Sequence, residues 1–321
     1  MTIKKVIPVK RKLKARVFGS AFGRALYFAV IAGFVITPFS LRSHVDKNPA
    51  EAVFNLDRPI IIGHRGYKAF APENTMPSME LAVQSGCDLI ELDVHFSSDR
   101  IPVVIHDKTL DRTTSSVEAW GNQKVSVKDQ SVGTLSTLDA GAWYHPRYEG
   151  TGIPILEDVL EYIHEEGTVT LIDRKAGEAD EFLELLENLE MKEAVIIQAF
   201  DWEFLAKVHA LDEDIILSGA GPARTWQGKS LSTAERALSK EWIDRARGAG
   251  ARALAWNDQI SREALDYAHE KGMKVWVYTI NDEKEAQRML DLGIDGVITD
   301  NPAVLWRAFY LHSRQEISSG D

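Results

Sequence analysis

The chain has 321 residues, of which 45% are hydrophobic and 26% charged, an ordinary composition for one large folded domain or two average ones. Its formal net charge is −11, yet residues 1–50 hold ten Lys or Arg and one acid, so the remainder carries a net −20. Such an acidic body is a poor general binder of nucleic acid, whose affinity depends on cations at the phosphates. A single cysteine, Cys87, excludes an internal disulfide.

The N-terminal region has the layout of a membrane or targeting segment. A basic head, residues 1–24, precedes residues 25–41, which contain no charged side chain. A membrane helix needs ~20 apolar residues with ~17 as the lower limit, and a signal peptide has a similar layout with a shorter apolar core. We expect an uncleaved anchor, with a cleaved signal or an amphipathic or packed helix as the alternatives. The basic head would stay cytoplasmic and place the rest in the periplasm, extracellular space or lumen.

Beyond a polar linker at residues 42–57, short apolar segments alternate with helical patterns. The predicted strands are Ile60–His64, Leu89–Val94, Thr168–Asp173, Ala194–Gln198, Ile215–Ser218, Ala253–Trp256, Lys274–Thr279 and Gly296–Thr299. Strand–helix alternation indicates a parallel sheet, and eight units predict a (β/α)8 barrel over residues 58–311, followed by a polar tail at 312–321. A doubly wound open sheet is the alternative, but no GxGxxG follows the first strand. Residues 101–153 interrupt the alternation and are predicted to be an insertion with its own small strands.

Carboxylates stand at the ends of two predicted neighbouring strands. Glu91 and Asp93 are two residues apart in "LIELDVHF", so their side chains share one face of the strand. Asp173 ends the next barrel strand, in "TLIDRK". A barrel enzyme builds its site from the C-terminal ends of its strands, and close carboxylates repel one another unless a cation lies between them. We therefore expect these three acids to bind one hard divalent cation, Ca2+ or Mg2+, which prefers oxygen ligands.

Cations and histidines accompany these acids. The first strand ends in His64 and Arg65, Lys175 follows Asp173 by two residues, and His106 follows a further apolar run in "PVVIHD". Arg and Lys next to a metal site are suited to binding a phosphate group. Two histidines can serve as general base and general acid near neutral pH. The pattern predicts a metal-assisted site for a phosphate ester.

The motifs "GHRG", "APENT", "SGCDLIELDVHFSSDRIPVVIHDKTLDRTT", "TLIDRK", "VWVYTIND" and "GIDGVITDNP" occur in this order along the chain. With these motifs the chain resembles the glycerophosphodiester phosphodiesterase family over roughly residues 58–311. The resemblance implies a metal-dependent (β/α)8 barrel with a small insertion after the second strand. It also implies cleavage of glycerophosphodiesters to glycerol 3-phosphate and an alcohol, or of lysophospholipids in the sense of a phospholipase D.

The resemblance assigns roles to individual residues. His64 and His106 match the catalytic histidines, Arg65 and Lys175 the phosphate-binding cations, and Glu91 and Asp93 the metal ligands. It further implies that Glu73, of the "PENT" motif, and Trp276, near the mouth, line the substrate site. Asp173 stands where the family usually has Glu, and its shorter side chain leaves the choice between Ca2+ and Mg2+ open.

Three other functions compete with hydrolysis of soluble glycerophosphodiesters. A membrane-anchored lysophospholipase D would act on lysophospholipids in the bilayer. A related barrel phosphodiesterase would act on sphingolipids or inositol lipids. A non-catalytic anchored barrel would only bind, although such a protein has no chemical need for the whole set of catalytic residues. We favour the soluble glycerophosphodiester as the substrate. The alternatives stay open because the fold alone does not fix the head group.

Overall fold

A computed structural model describes residues 48–121, 124–226 and 228–319. Its strands are β1 (Ile60–Gly63), β2 (Leu89–Phe96), β3 (Pro102–Val104), β4 (Val169–Arg174), β5 (Val195–Ala199), β6 (Ile216–Ala220), β7 (Thr225–Trp226), β8 (Lys229–Ser230), β9 (Ala253–Trp256), β10 (Lys274–Val277) and β11 (Gly296–Thr299). Its α-helices are α1 (Pro49–Phe54), α2 (Met76–Gln84), α3 (Ser116–Trp120), α4 (Val132–Leu135), α5 (Leu156–Glu165), α6 (Ala179–Asn188), α7 (Trp202–Leu211), α8 (Lys240–Gly248), α9 (Arg262–Glu270), α10 (Glu283–Leu292) and α11 (Pro302–Ser319).

Eight parallel strands close into a barrel. Their order is β1-β11-β10-β9-β6-β5-β4-β2, and β2 also pairs with β1, which closes the cylinder. The closure excludes the open-sheet alternative and confirms the predicted (β/α)8 fold. Every predicted barrel strand is present, with ends that differ by at most two residues from the prediction.

Local sequence explains the helices around the barrel. In α5, Leu156, Val159, Leu160 and Ile163 recur at helical spacing and are all buried, so this helix packs one apolar face on the sheet. Helix α10 ends at Gly293, whose φ of +88° is the left-handed conformation that glycine adopts most easily.

The barrel interior changes character along the strands. Near the N-terminal ends the inward side chains are apolar and include Ile62, Leu171 and Trp276. Helix α1 closes this end: its Phe54 contacts Trp276 edge to face, with ring centroids 6.4 Å apart. Near the C-terminal ends most of the inward positions are polar, which makes that end the candidate functional site.

The insertion differs in detail from its prediction. Its described residues, 101–121 and 124–153, contain one short strand, β3, which pairs antiparallel with β2, and an isolated bridge between Thr109 and Ser126. Most of the remaining described residues form short helices and turns rather than several small strands. The Ser and Gly residues of this segment favour such turns, as where Ser131 caps α4. A separate small core, which includes Leu110 and Leu135, stabilises the insertion.

The predicted membrane segment, residues 25–41, lies outside the described residues, as do residues 42–47 of the predicted linker and residues 320–321 of the tail. The described part of the linker includes α1, which forms because Ala50 and Phe54 are buried against the barrel, and residues 312–319 of the tail belong to α11. Within the described ranges, no helix combines the length and apolar character needed to span a bilayer.

Candidate active site

A cavity of about 170 Å³ opens at the C-terminal ends of the strands. It is lined by His64, Arg65, Glu91, Asp93, His106, Asp173, Lys175, Gln198, Phe200, Tyr278, Thr279 and Ile298. The structure therefore brings together the predicted histidines, cations and carboxylates. Of the residues expected at the site, only Glu73 and Trp276 are not on its wall.

The turn after β1 has an unusual backbone that positions Arg65. Arg65 has φ +54°, in the left-handed region that non-glycine residues rarely adopt. Its amide donates a hydrogen bond to Glu91 Oε2 at 2.7 Å, which anchors the turn to β2. Gly66 follows with φ +81°, and a Cβ there would lie 2.6 Å from the carbonyl carbon of Ser78. Only glycine fits this close approach, which explains the "HRG" sequence.

The three predicted metal ligands form one cluster. Glu91, Asp93 and Asp173 are 2%, 1% and 4% exposed, and each offers an oxygen within 4.8 Å of the others. The period-two spacing on β2 and the pairing of Asp93 with Asp173 across β2 and β4 account for this placement. Asn74 holds the cluster from behind, since its amide donates to Asp93 Oδ2 at 2.8 Å.

The cluster suits a hard cation. Burial, followed by the charges of Asp93 and Asp173, raises the pKa of Glu91 well above its usual value. Asp173 Oδ1 is buried and has no hydrogen-bond partner among the described residues. An unpartnered buried carboxylate oxygen is costly, and a divalent ion bound by oxygen ligands would satisfy it. These residues could therefore hold one metal ion.

Two cations compensate part of the negative charge. Lys175 Nζ lies 2.9 Å from Asp93 Oδ1 and 2.5 Å from Asp173 Oδ2. Arg65 Nε lies 3.2 Å from Asp93 Oδ2. Burial alone would raise the pKa of Asp93, but Lys175 and then Arg65 hold it below its usual value. The site therefore holds two positively charged side chains next to the acids. Such cations are also the groups that bind a phosphate.

His64 is oriented by the last barrel strand. Its Nδ1 lies 2.6 Å from Asp300 Oδ1, directly after β11. Asp300 is held in turn by Asn281, which donates to Oδ2 at 2.9 Å, and by Lys68 Nζ at 3.3 Å. Burial lowers the pKa of His64 below its usual value, and the charges of Arg65 and Lys68 add to this, while Asp300 opposes it. With Nδ1 bound to Asp300, Nε2 is the nitrogen available for proton transfer.

His106 is oriented in the same way from the insertion. Its Nδ1 lies 2.7 Å from Oδ1 of the neighbouring Asp107, so Nε2 is again the available nitrogen. His95, on β2, lies with its Nε2 3.1 Å from the carbonyl oxygen of His106 and supports the backbone there. Each predicted catalytic histidine thus has an aspartate on its Nδ1.

Glu73 lies behind Arg65 rather than on the cavity wall. Its Oε1 accepts hydrogen bonds from Arg65 Nη1 and Arg112 Nη2, each at 2.7 Å, and its Oε2 accepts one from Arg112 Nη1 at 3.1 Å. Burial opposes its ionisation, but Arg112 and Arg65 together hold the pKa of Glu73 below its usual value. Both oxygens of Glu73 are thus used by arginines, so its position is that of a support for Arg65. The expectation that Glu73 lines the substrate site is therefore wrong, because Glu73 is not on the wall of this cavity.

Trp276 is also placed differently from the expectation. It is 1% exposed and packs in the apolar N-terminal part of the barrel. It pairs with Gly296 at the start of β11, where a Cβ on the glycine would lie 2.7 Å from the indole. Tyr278, two residues further along the chain and the next residue to face inward, lines the cavity instead. The expected residue, Trp276, faces the barrel interior as predicted, but it lies in the apolar layer below the cavity.

Sequence reasoning missed several residues of the site. Gln198 lies on β5 and Phe200 directly follows that strand. The two are spaced by two residues, as are the acids of β2, and this spacing could have identified them. Phe200 is 39% exposed at the rim, and Lys175 Nζ lies 5.7 Å from its ring centroid. Tyr278 donates to the carbonyl oxygen of Gly221 at 2.5 Å. Arg112 had no sequence signal, because it acts through contacts made in three dimensions.

Comparison with known proteins gives a consistent result. The pattern of the Glycerophosphoryl diester phosphodiesterase family matches residues 64–304. The chain is 30% identical over 290 residues to a glycerophosphodiester phosphodiesterase of Bacillus subtilis, covering 85% of this chain and 92% of the relative. It is 33% identical over 253 residues to one of Bacillus altitudinis, covering 75% and 94%.

A solved structure is similar as well. It is a phosphodiesterase of Oleispira antarctica in complex with its product sn-glycerol 3-phosphate. The TM-score is 0.67 at 27% identity, and the match covers 78% of this chain and 97% of the other.

Proposed function

This chain belongs to the glycerophosphoryl diester phosphodiesterase family and is a phosphoric diester hydrolase, and we propose that it cleaves glycerophosphodiesters to glycerol 3-phosphate and an alcohol. The observation that carries this proposal is the convergence of two aspartate-held histidines, three buried carboxylates and two cations on one cavity. The product bound in the Oleispira antarctica structure, sn-glycerol 3-phosphate, agrees with this proposal.

Glu91, Asp93 and Asp173 would hold one divalent metal ion, Ca2+ or Mg2+. When bound, such an ion supplies positive charge that stabilises negative charge on phosphoryl oxygens. Lys175 and Arg65 bind the phosphodiester from the protein side, because both are cations on the wall of the same cavity. Glu73 keeps Arg65 in place.

The two histidines move the protons. One accepts a proton at Nε2 from the attacking hydroxyl group while that oxygen bonds to phosphorus. The other donates a proton from Nε2 to the leaving oxygen as the phosphorus–oxygen bond breaks. Asp300 and Asp107 hold the respective Nδ1 atoms and so keep each ring in the required tautomer. The nucleophile is either a water molecule, which gives glycerol 3-phosphate directly, or a hydroxyl of the substrate's own glycerol, which gives a cyclic glycerol phosphate that a water molecule then opens to glycerol 3-phosphate.

The rim favours one alternative substrate. Phe200 is partly exposed beside the cavity, and an exposed aromatic ring can contact an apolar chain. A lysophospholipid, cleaved in the sense of a phospholipase D, is therefore the second candidate. The soluble diester is favoured because the rest of the described wall is largely polar or charged.

Side-by-side assays of the purified full-length chain test the proposal. Glycerophosphocholine and lysophosphatidylcholine are each incubated with EDTA, Ca2+ or Mg2+, and glycerol 3-phosphate and choline are measured. We expect glycerol 3-phosphate from the soluble diester in one or both metals, and at least ~10²-fold less in EDTA because the charge of the ion is lost. Turnover of the lysolipid alone would favour the alternative, and turnover of neither would contradict hydrolysis of these diesters.

The location of the enzyme is a separate part of the proposal. The uncharged run at residues 25–41 acts as an anchor, with the basic head in the cytoplasm and the barrel, residues 58–311, on the outer side of the membrane. Mass spectrometry of the mature protein tests this. An N-terminus near residue 42 or later would instead show a cleaved signal and a released enzyme.

A further inference from the structure

Arg112 is a residue of the insertion that lies outside the cavity wall yet bonds to two carboxylates at once. Its Nε donates to Asp107 Oδ2 at 2.6 Å and its Nη2 lies 3.2 Å from Asp107 Oδ1. On its other side, Nη2 and Nη1 donate to the two oxygens of Glu73 at 2.7 Å and 3.1 Å. One planar guanidinium thus bridges the insertion and the loop after β1.

Each of these carboxylates holds a residue of the cavity wall. Asp107 binds Nδ1 of His106 at 2.7 Å, and Glu73 accepts from Arg65 at 2.7 Å. A chain of contacts therefore runs from one proposed proton carrier to the proposed phosphate-binding arginine. We propose that Arg112 is a positioning residue that fixes His106 relative to Arg65, an inference that rests on the function proposed above.

The backbone around Arg112 is suited to this role. Leu110 is fully buried in the small core of the insertion. Thr113 and Thr114 are each 5% exposed, and Thr114 Oγ1 donates to the carbonyl oxygen of Leu110 at 2.7 Å. The loop on both sides of Arg112 is therefore held by packing, so the guanidinium starts from a fixed point.

The shape of the arginine side chain matters as much as its charge. The guanidinium presents its donors in a rigid fork that can bind two carboxylates, whereas a lysine ammonium is a compact point charge. The hydrogen bond from Arg112, supported by His106, holds the pKa of Asp107 down to about 2. Asp107 is thus ionised at neutral pH and offers a full negative charge to both partners.

A purely structural role is the competing explanation. The Arg112 side chain is 44% exposed, and ion pairs made by exposed side chains contribute little to stability. Removal of Arg112 should therefore leave the fold intact. Its effect should appear in the rate of the chemical step, since a displacement of ~1 Å in a reacting group can cost ~10²-fold.

The first test is Arg112→Ala in the full-length chain with glycerophosphocholine. We expect kcat to fall on the order of 10²-fold with little change in KM or in Tm. Added guanidinium chloride at millimolar concentration should restore part of kcat, because the site is open to solvent. Arg112→Lys should remain impaired, because one ammonium cannot bridge both carboxylates. The matched control is Arg58→Ala: Arg58 is 42% exposed and bonds bidentately to Asp88 near the N-terminal end of the barrel.

A double-mutant cycle tests whether Arg112 acts through Asp107. Asp107→Asn should lower kcat by a similar factor, and adding Arg112→Ala should lower it little further. Asp107→Asn alone keeps the inference testable if Arg112→Ala fails to fold, because unchanged kcat in Asp107→Asn would overturn it. Wild-type kcat in Arg112→Ala, a change confined to KM, or losses that multiply in the cycle would each overturn the inference. An inactive wild type would instead overturn the proposed function, and the role of Arg112 with it.

Discussion

The two ends of the barrel interior are built from the same strands and serve opposite purposes. On β4, the inward residues Val169 and Leu171 pack in an apolar layer, and the next inward residue is the buried Asp173. On β10, Trp276 packs against Phe54, and Tyr278, the residue directly after this strand, lines the cavity. A shift of two residues along a strand thus separates apolar packing from the site.

The difference shows where the molecule gains stability and where it loses it. The apolar end removes large side chains from water, which is the main favourable term in folding. The polar end buries three carboxylates within 4.8 Å of one another, and burial raises the pKa of Glu91 and Asp173. Like charges in a dry site are unfavourable unless cations compensate them. Burial of apolar side chains at the other end, which contains none of the reacting groups, offsets that cost.

The largest effect should come from the polar end. His64→Ala and His106→Ala each remove a proposed proton carrier, and we expect kcat to fall by ~10²–10⁴-fold while Tm changes little. The assay is release of glycerol 3-phosphate from glycerophosphocholine. Near-normal turnover in either variant would show that the corresponding histidine is not a proton carrier.

The apolar end should respond in the opposite way. Trp276→Ala leaves a cavity under the site, and we expect the free energy of unfolding to fall by ~3–5 kcal/mol. Denaturant unfolding measures this loss. The kcat of the remaining folded protein, corrected for its concentration, should stay within a few-fold of wild type, because Trp276 is not on the cavity wall. A large fall in the corrected kcat with unchanged stability would contradict the separation of the two ends.

How far the sequence predicts this molecule depends on whether a feature is local. The strands are predictable because each is a short apolar run bounded by turns. The carboxylate cluster is predictable because Glu91 and Asp93 share a face by spacing alone. The layer at which an inward residue lies was not predictable, since it depends on strand register. Trp276 and Tyr278 differ only in that respect, and Trp276 was therefore misplaced.

Contacts between distant segments were the other limit. The pairing of His64 with Asp300 joins residues 236 positions apart, and strand-end acids alone did not reveal it. Glu73 was expected to face substrate, yet Arg112 approaches it from the insertion and takes both of its oxygens. Side-chain partners of this kind follow from the closed barrel and the placement of the insertion, which sequence spacing does not encode.

The smallest effect we predict tests the orientation of His64, and Asp300→Asn is the variant. The hydrogen bond and charge of Asp300 favour the imidazolium form, whereas burial, Arg65 and Lys68 disfavour it. Loss of the aspartate charge should therefore lower the pKa of His64 further. We also expect kcat to fall on the order of 10-fold, because the ring is held less firmly.

The pH profile of kcat/KM, which reports groups of the free enzyme, then assigns the role of His64. A base must be neutral to act, so if His64 is the base the acid limb moves to lower pH in Asp300→Asn. An acid must be protonated, so if His64 is the acid the alkaline limb moves to lower pH instead. In the wild type the same reasoning places the His64 limb below the usual range for histidine, because burial lowers its pKa. A profile that does not move, or that moves to higher pH, would mean that Asp300 does not control the proton on His64. The matching geometry of the His64–Asp300 and His106–Asp107 pairs would then not imply that the two aspartates have the same role.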